Sequence, residues 1–334
     1  VNRPLLTWEI DLFGRLKRQA QSARAQHHAT QADLQGLKIA LIAETTDAWL
    51  NWRQAHELLA LLAERIAART TTVALLHASV EAQITEANAL HLARAELAAL
   101  QAERPMLEQT IEMQRNRLAV LTGADPSRFT LAAPSTATLK LPELTGFEHP
   151  ADLLRRRPDV IAAEQRLIAA TADIGSAIAE YYPRFSLSGL LGWQATTTAA
   201  FGTGDAATAT GLLGLRWRLF DFGRVEAQIQ QAKGREAEAL AAWRQTLLLA
   251  SEEVENALMA IQTSAAALHL HQQAHTELQT AWRNARQSFD QRTIGRLPVL
   301  DAEDRVLANR QRQTQARYAR ARASVGVNRA AAAL

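Results

Sequence analysis

Three groups of side chains in this chain of 334 residues have types and spacings that could do chemistry. His269, His271 and His275 are close in sequence, and the pair His271/His275 has the i,i+4 spacing of metal ligands on a helix. No carboxylate stands between them and the stretch is polar, so exposed histidines are the simpler reading. Three methionines and no cysteine leave no soft-metal relay. The run Arg155–Arg157 could bind phosphate, or it could be the polar side of a short structural helix. Asp301, with Arg292 and Arg296 nearby, could form ion pairs, or it could be a carboxylate favoured at a helix start. No glycine-rich loop follows a strand, and no serine or carboxylate constellation stands out. The chain is therefore expected to need no cofactor or metal and not to be an enzyme.

These groups must be carried by long elements. Hydrophobic residues make up 48% of the chain and aromatics only 5%, so the apolar content is mostly alanine and leucine, which favours helix. Thirty-seven basic residues against 34 acidic ones give a net charge of +3, with no basic patch to mark a nucleic-acid partner. No apolar run approaches the ~18 residues of a spanning helix.

Residues 5–104 and 184–297 contain no proline. Within them the patterning predicts long helices over 15–80 and 224–286, and shorter ones over 88–122 and 299–326. At 1.5 Å per residue the long helices reach about 100 Å, which suits a strut, a coiled coil or the wall of a tube. Pro105 is expected to kink its helix rather than end it. Residues 123–150, with spaced prolines, read as an irregular linker, and a helix starts at Pro158-Asp159 and runs to about Glu180.

The period changes to two at Phe185. Phe185, Leu187, Gly189, Leu191 and Trp193 alternate with small or polar residues, and Leu213, Leu215, Trp217 and Leu219 alternate with Gly214, Arg216 and Arg218. The predicted strands span 185–193 and 209–220, each with aromatics near its ends. That is the pattern of a transmembrane β-barrel strand, though a half-buried hairpin in a soluble domain would share it.

An internal repeat links these pieces. Trp8-Glu-Ile-Asp-Leu-Phe-Gly-Arg15 matches Trp217-Arg-Leu-Phe-Asp-Phe-Gly-Arg224, 209 residues on. The same offset sets Ala43-Glu44 on Glu252-Glu253, Asp47-Ala48 on Asn256-Ala257 and Leu90 on Val299. Residues 5–12 then form a strand too, with Glu9 and Asp11 on its polar face. The expected organisation is a first repeat over 1–122, a linker over 123–150, a second repeat over 151–326 and a tail over 327–334. By this symmetry a strand preceding the first repeat is expected beyond residue 1.

The two Phe-Gly-Arg segments, Asp152-Leu-Leu-Arg-Arg-Arg-Pro-Asp-Val160, Tyr182-Pro-Arg-Phe-Ser-Leu187, Glu252-Glu-Val-Glu-Asn-Ala257 and Val299-Leu-Asp-Ala302 resemble, in order and end to end, the TolC-like outer membrane factors. Among these the chain is most similar to the lipoprotein branch serving resistance-nodulation-division pumps. The resemblance implies a mainly α fold with a small β part: very long antiparallel helices forming an α-barrel tunnel, plus transmembrane β-barrel strands shared across a homotrimer. It implies a passive efflux duct in the bacterial outer membrane, extending into the periplasm. Its partners would be a periplasmic adaptor protein, an inner-membrane resistance-nodulation-division pump and outer-membrane lipid.

By the same resemblance, Asp301 would belong to a ring of aspartates narrowing the periplasmic end, with Arg292 and Arg296 holding the tip closed. Pro298 stands where the family often has a second aspartate. Glu9, Asp11, Arg216 and Arg218 would face the barrel lumen, and Trp8, Phe185, Trp193 and Trp217 the lipid. Adaptor docking would fall on the helix turns at 80–90 and 288–300. The family's first strand, N-terminal helix and lipid-bearing cysteine are not matched, so the sequence reads as N-terminally truncated. The competing reading is a soluble periplasmic coiled-coil scaffold or adaptor.

Overall fold

A computed structural model of the chain describes residues 5–132, 134, 150–193 and 207–332. The elements run β1 (Leu5–Ile10), α1 (Arg15–Glu81), α2 (Ala87–Leu121), α3 (Pro150–Arg156), α4 (Pro158–Ile178), β2 (Arg184–Trp193), β3 (Ala207–Arg216), α5 (Arg224–Asp290) and α6 (Arg296–Ala330), with a 3-10 turn at Ala179–Tyr181 before β2. The fold is mainly helical with one small sheet.

The repeat governs the element lengths. Helices α1 and α5 have 67 residues each, and α2 and α6 have 35 each. All four start and stop at positions 209 residues apart. The turns between them match as well: Gln83 and Arg292 are both left-handed, at φ 56° and 59°. In each turn an amide bonds back across five residues, Ile84 N–H to the Ser79 carbonyl at 2.9 Å and Thr293 N–H to that of Ser288 at 3.0 Å.

Several ends differ from the sequence reading. Strand β1 stops at Ile10 rather than 12, because the Asp11 carboxylate turns to accept the Leu16 and Lys17 amides at the start of α1, at 3.1 and 2.8 Å. Strand β3 stops at Arg216 rather than 220, and Asp221 accepts the Val225 amide of α5 at 2.8 Å. A side-chain oxygen on a helix's free N–H groups fixes that start. Helix α6 begins three residues earlier than expected. Pro298 sits in its first turn, where a missing N–H costs no hydrogen bond. A short helix, α3, occupies Pro150–Arg156 at the end of the expected linker; residues 135–149 lie outside the described residues. Helix α2 continues through Pro105.

The chain divides into two compact units, the first comprising Val1–Gly36 with Arg155–Ala250, the second Leu37–Leu154 with Ser251–Leu334. The first unit holds an antiparallel sheet in the order β1-β2-β3. Its register aligns Trp8 with Leu187 and Leu187 with Leu213, and Ile10 with Phe185 and Phe185 with Leu215, so those rows share a face. Below the sheet, close packing of α4 against the start of α1 depends on small residues. A Cβ at Gly175 would meet the Arg18 side chain at 3.0 Å.

In the second unit, Ala48, Trp52 and Ala55 of α1 pack with Ile111 and Leu118 of α2. A second cluster joins Ala43 and Leu50 of α1 to Tyr318, Ala321 and Val325 of α6. Near the turns, Leu76, Leu90 and Ala93 form a third, with Leu297 of α6 against it. The small apolar residues at helical spacing are thus buried between helices within this unit.

Candidate functional site

The sheet presents one apolar and one polar face. Trp8, Leu187, Leu213 and Leu215 on the apolar face are exposed in the single chain, while Phe185 in the same rows is half-buried. The side chain of Trp193 lies outside the described residues. On the other face, Glu9 aligns with Ser186 and Ser186 with Gly214, and Arg184 aligns with Arg216. Thr7, Glu9, Arg184, Ser186, Gly214 and Arg216 line a shallow concavity of about 300 Å³ there. A side chain at position 214 would come within 2.7 Å of the Ser186 hydroxyl, so glycine leaves that hydroxyl its room.

The charges on this face are tied differently in the two repeats. Glu9 accepts a bidentate pair from Arg15, the arginine of the first Phe-Gly-Arg, with Nε at 3.1 Å and Nη2 at 2.7 Å. Its repeat equivalent is Arg218, which lies beyond β3 and faces Glu180 at 3.7 Å; Glu180 also takes Arg184. Of the four residues expected on a lumen face, Glu9 and Arg216 lie in strands, whereas Asp11 and Arg218 lie past strand ends. Trp217 is also past the end of β3, and its indole N–H donates to the Tyr181 carbonyl at 3.1 Å. Phe13 stacks on Tyr182 with ring centroids 4.6 Å apart, and the Tyr181 hydroxyl donates to Glu226 at 3.0 Å. Aromatics therefore collect where strands become helices.

At the turns of the second unit, Arg292 is the left-handed residue between α5 and α6, and Arg296 opens α6 with its guanidinium 5.5 Å from the Phe289 ring centroid. Asp301 and Arg305 form an exposed i,i+4 pair at 3.1 Å. Within one chain, then, Asp301 is paired with Arg305 rather than with Arg292 or Arg296.

Sequence reasoning missed the buried acid one turn further on. Asp304 is 6% exposed and is held by two arginines of α1, Arg65 at 3.2 Å and Arg69 at 2.9 Å; Arg69 also reaches Glu96 of α2 at 3.1 Å. The charge ladder continues along the α1–α6 contact. Arg310 pairs with Glu64 at 2.8 Å, Arg317 with Glu57, and Arg322 donates to Asn51 and Gln54 at 2.8 and 2.7 Å. Tyr318 is fully buried and donates its hydroxyl to Glu57; burial first, and that carboxylate second, push the phenol's pKa up. At the same contact, burial raises the pKa of Asp47 against the opposing pull of Arg322 and Arg329. Alternating acids on α1 and arginines on α6 were visible in the sequence, but only the packing brings them together.

Several of the remaining candidates take structural partners, whereas His275 Nδ1 is buried without a hydrogen-bond partner among the described residues. His269 bonds Gln273 at 3.0 Å, and the His271 carbonyl accepts the Asn309 side-chain amide at 3.0 Å. Among the described residues, no three histidine, aspartate or glutamate side chains group as metal ligands. Arg157 is buried and forks onto Asp159 at 3.1 and 2.9 Å. Burial works against the Asp159 charge, but Arg157 and the Val160 amide outweigh it and hold the carboxyl below its ordinary pKa. No described helix is long and apolar enough to cross a membrane, which leaves the apolar sheet face as the surface to account for.

A sheet with one apolar and one polar face continues through Phe-Gly-Arg turns into paired long helices, an arrangement also seen in a solved outer-membrane channel. The solved structure of the outer-membrane channel OprN shares it at a TM-score of 0.86 and 33% identity, over 99% of this chain and 74% of that one. The chain belongs to the outer membrane efflux protein family, whose model matches residues 2–124 and 150–333. It is 32% identical over 267 residues to the outer membrane protein OprJ of Pseudomonas aeruginosa, covering 79% of this chain and 55% of OprJ. It is 26% identical over 307 residues to the solvent efflux pump outer membrane protein SrpC of Pseudomonas putida, covering 91% of this chain and 65% of SrpC. The chain thus spans between about half and two thirds of the length of these relatives.

Proposed function

We propose that this protein is the outer-membrane channel component of a tripartite efflux system: a passive homotrimeric duct, reaching from the outer membrane into the periplasm, that does no chemistry of its own. An inner-membrane resistance-nodulation-division pump would deliver the substrate through a periplasmic adaptor docked at the turns 82–86 and 291–295. The observation that carries this reading is the join, within one chain, of an exposed apolar sheet face to two helical hairpins of equal length. A soluble scaffold has use for the hairpins but none for Trp8, Leu213 and Leu215 in water. Lipid covers that face in the proposed duct, with Phe185 and Trp217 beside them. Glu9 and Arg216 then line the lumen, with Asp11 and Arg218 at its periplasmic rim. Asp301, from three copies, forms the ring that narrows the far end, and Arg292 and Arg296 hold that tip closed. A wide passive duct leaves substrate choice to the pump.

Single-channel conductance in a planar bilayer tests the reading. Small, steady openings are expected from the protein and larger ones from Asp301→Ala, since that change removes the charged ring. A chain that stays in solution without detergent, and conducts neither as it is nor as Asp301→Ala, would be the scaffold instead.

A further inference from the structure

We infer that the polar face of the sheet carries a binding recess for an oxyanion, the phosphate or carboxylate of a water-soluble solute, with Arg216 as its cation and the Ser186 hydroxyl as its second donor. The recess belongs to the sheet of a single chain; only its place in a lumen rests on the proposed duct. The argument begins with charge. Strand register sets Arg184 of β2 directly opposite Arg216 of β3. Like charges facing each other across a ladder repel, so this pair calls for negative charge beside it.

The carboxylates that the local sequence offers are engaged elsewhere. Glu9, one row along the same face, takes both Nε and Nη2 of Arg15. One residue past the paired end of β1, the register would bring Asp11 opposite Arg184, but Asp11 turns to the Leu16 and Lys17 amides. Glu180 pairs with Arg184 and lies 3.7 Å from Arg218. Asp221 accepts the Val225 amide. Arg216 is exposed and, among the described residues, has no ion pair or hydrogen bond. One guanidinium of the facing pair is answered within the chain, and the other is left for an anion from outside it.

The surface beside Arg216 has the shape to complete such a site. The concavity of about 300 Å³ reaches from Arg184 and Arg216 past Ser186 to Thr7 and Glu9. Ser186 and Gly214 face each other in the row next to Arg184 and Arg216. A Cβ at position 214 would come within 2.7 Å of the Ser186 Oγ, so glycine is what keeps the hydroxyl open to the recess. A guanidinium fork with a hydroxyl donor alongside matches the several oxygens of a phosphate or carboxylate, which a spherical halide lacks. Glu9 stands at the far side with its charge already met by Arg15. The recess lies on the face opposite Trp8, Leu213 and Leu215, so lipid on that apolar face does not reach it and a soluble anion does.

The protein, in neutral detergent and chloride buffer at fixed ionic strength, is titrated with inorganic phosphate and followed by phosphorus NMR line broadening. Saturable broadening is expected, relieved by acetate more than by chloride. Ser186→Ala and Gly214→Ala keep every charge, and each is expected to weaken phosphate about fivefold, the first by removing the donor and the second by crowding it. Arg216→Ser is expected to weaken it at least about tenfold, and Arg218→Ser much less. Equal losses from the two arginines, or chloride as effective as acetate, would mean diffuse attraction and overturn the recess. Full phosphate affinity in both charge-conserving variants, or no saturable broadening at all, would overturn it too. Displacement of phosphate by phosphatidic acid in the micelle would give the site to a lipid headgroup and overturn the soluble ligand. Conductance without phosphate binding would refute the recess and leave the duct standing, whereas phosphate binding without conductance would do the reverse.

Discussion

Asp301 and Asp304 sit three residues apart on α6 and separate two uses of a carboxylate. Asp304 is buried between Arg65 and Arg69, so Asp304→Asn leaves two largely buried guanidiniums with their main counter-charge gone, and about 3 kcal/mol of stability should be lost in urea unfolding. Asp301 and its partner Arg305 are more than half exposed, and solvent screening limits Asp301→Ala to roughly 0.5 kcal/mol. The first variant should change the denaturation midpoint, the second the conductance. Asp47 and Asp159 form a contrast of opposite sign. The folded pKa of Asp47 is raised, so the fold disfavours its charge, and stability falls as pH rises through the ordinary carboxylate value of about 3.9. Asp47→Asn should therefore raise the melting temperature at pH 7 and leave it unchanged at pH 3; the second repeat already carries Asn256 at this place. Asp159 has a lowered pKa, and its contribution is present above the ordinary value and lost as pH falls through the folded one. Asp159→Asn should lower the melting temperature at pH 7 and flatten its fall in acid.

At the scale of elements, both hairpin turns use a non-glycine residue in the left-handed region, Gln83 and Arg292. Glycine adopts that conformation without a Cβ penalty, so Gln83→Gly should stabilise the hairpin by about 1 kcal/mol in thermal unfolding. The long helices were legible in the sequence because proline is absent over two stretches and the 209-residue offset reports the same element twice. The strands were legible through alternation, but their ends were not. Asp11 fits an alternating pattern equally well as a strand residue, and only its bonds to helix amides place it in the turn. The start of α6 was hidden by Pro298, which reads as a stop but is harmless in a first turn. Asp304 carried no signal of its own, since its partners Arg65 and Arg69 lie 239 and 235 residues away and their approach depends on helices packing side by side.

For the whole molecule, the polar sheet face ties charge to ion selectivity in the proposed duct. Arg216→Ser should shift a bilayer reversal potential toward cations, and Arg218→Ser should shift it less, because Glu180 already faces Arg218. Equal shifts from the two would mean that Glu180 does not screen Arg218 in the assembled protein. The matched lengths of the four helices have a consequence for inheritance. Leu297 of α6 packs into the cluster at the α1–α2 turn, so within the second unit both turns sit at one level. A deletion of seven residues in α1 alone would pull its turn away from that cluster and move Arg65 and Arg69 past Asp304. The same deletion made together in α1, α2, α5 and α6 would keep every facing pair. Length in this lineage should therefore change in sets of four, and natural sequences that gain or lose a heptad in one helix should carry it in the other three.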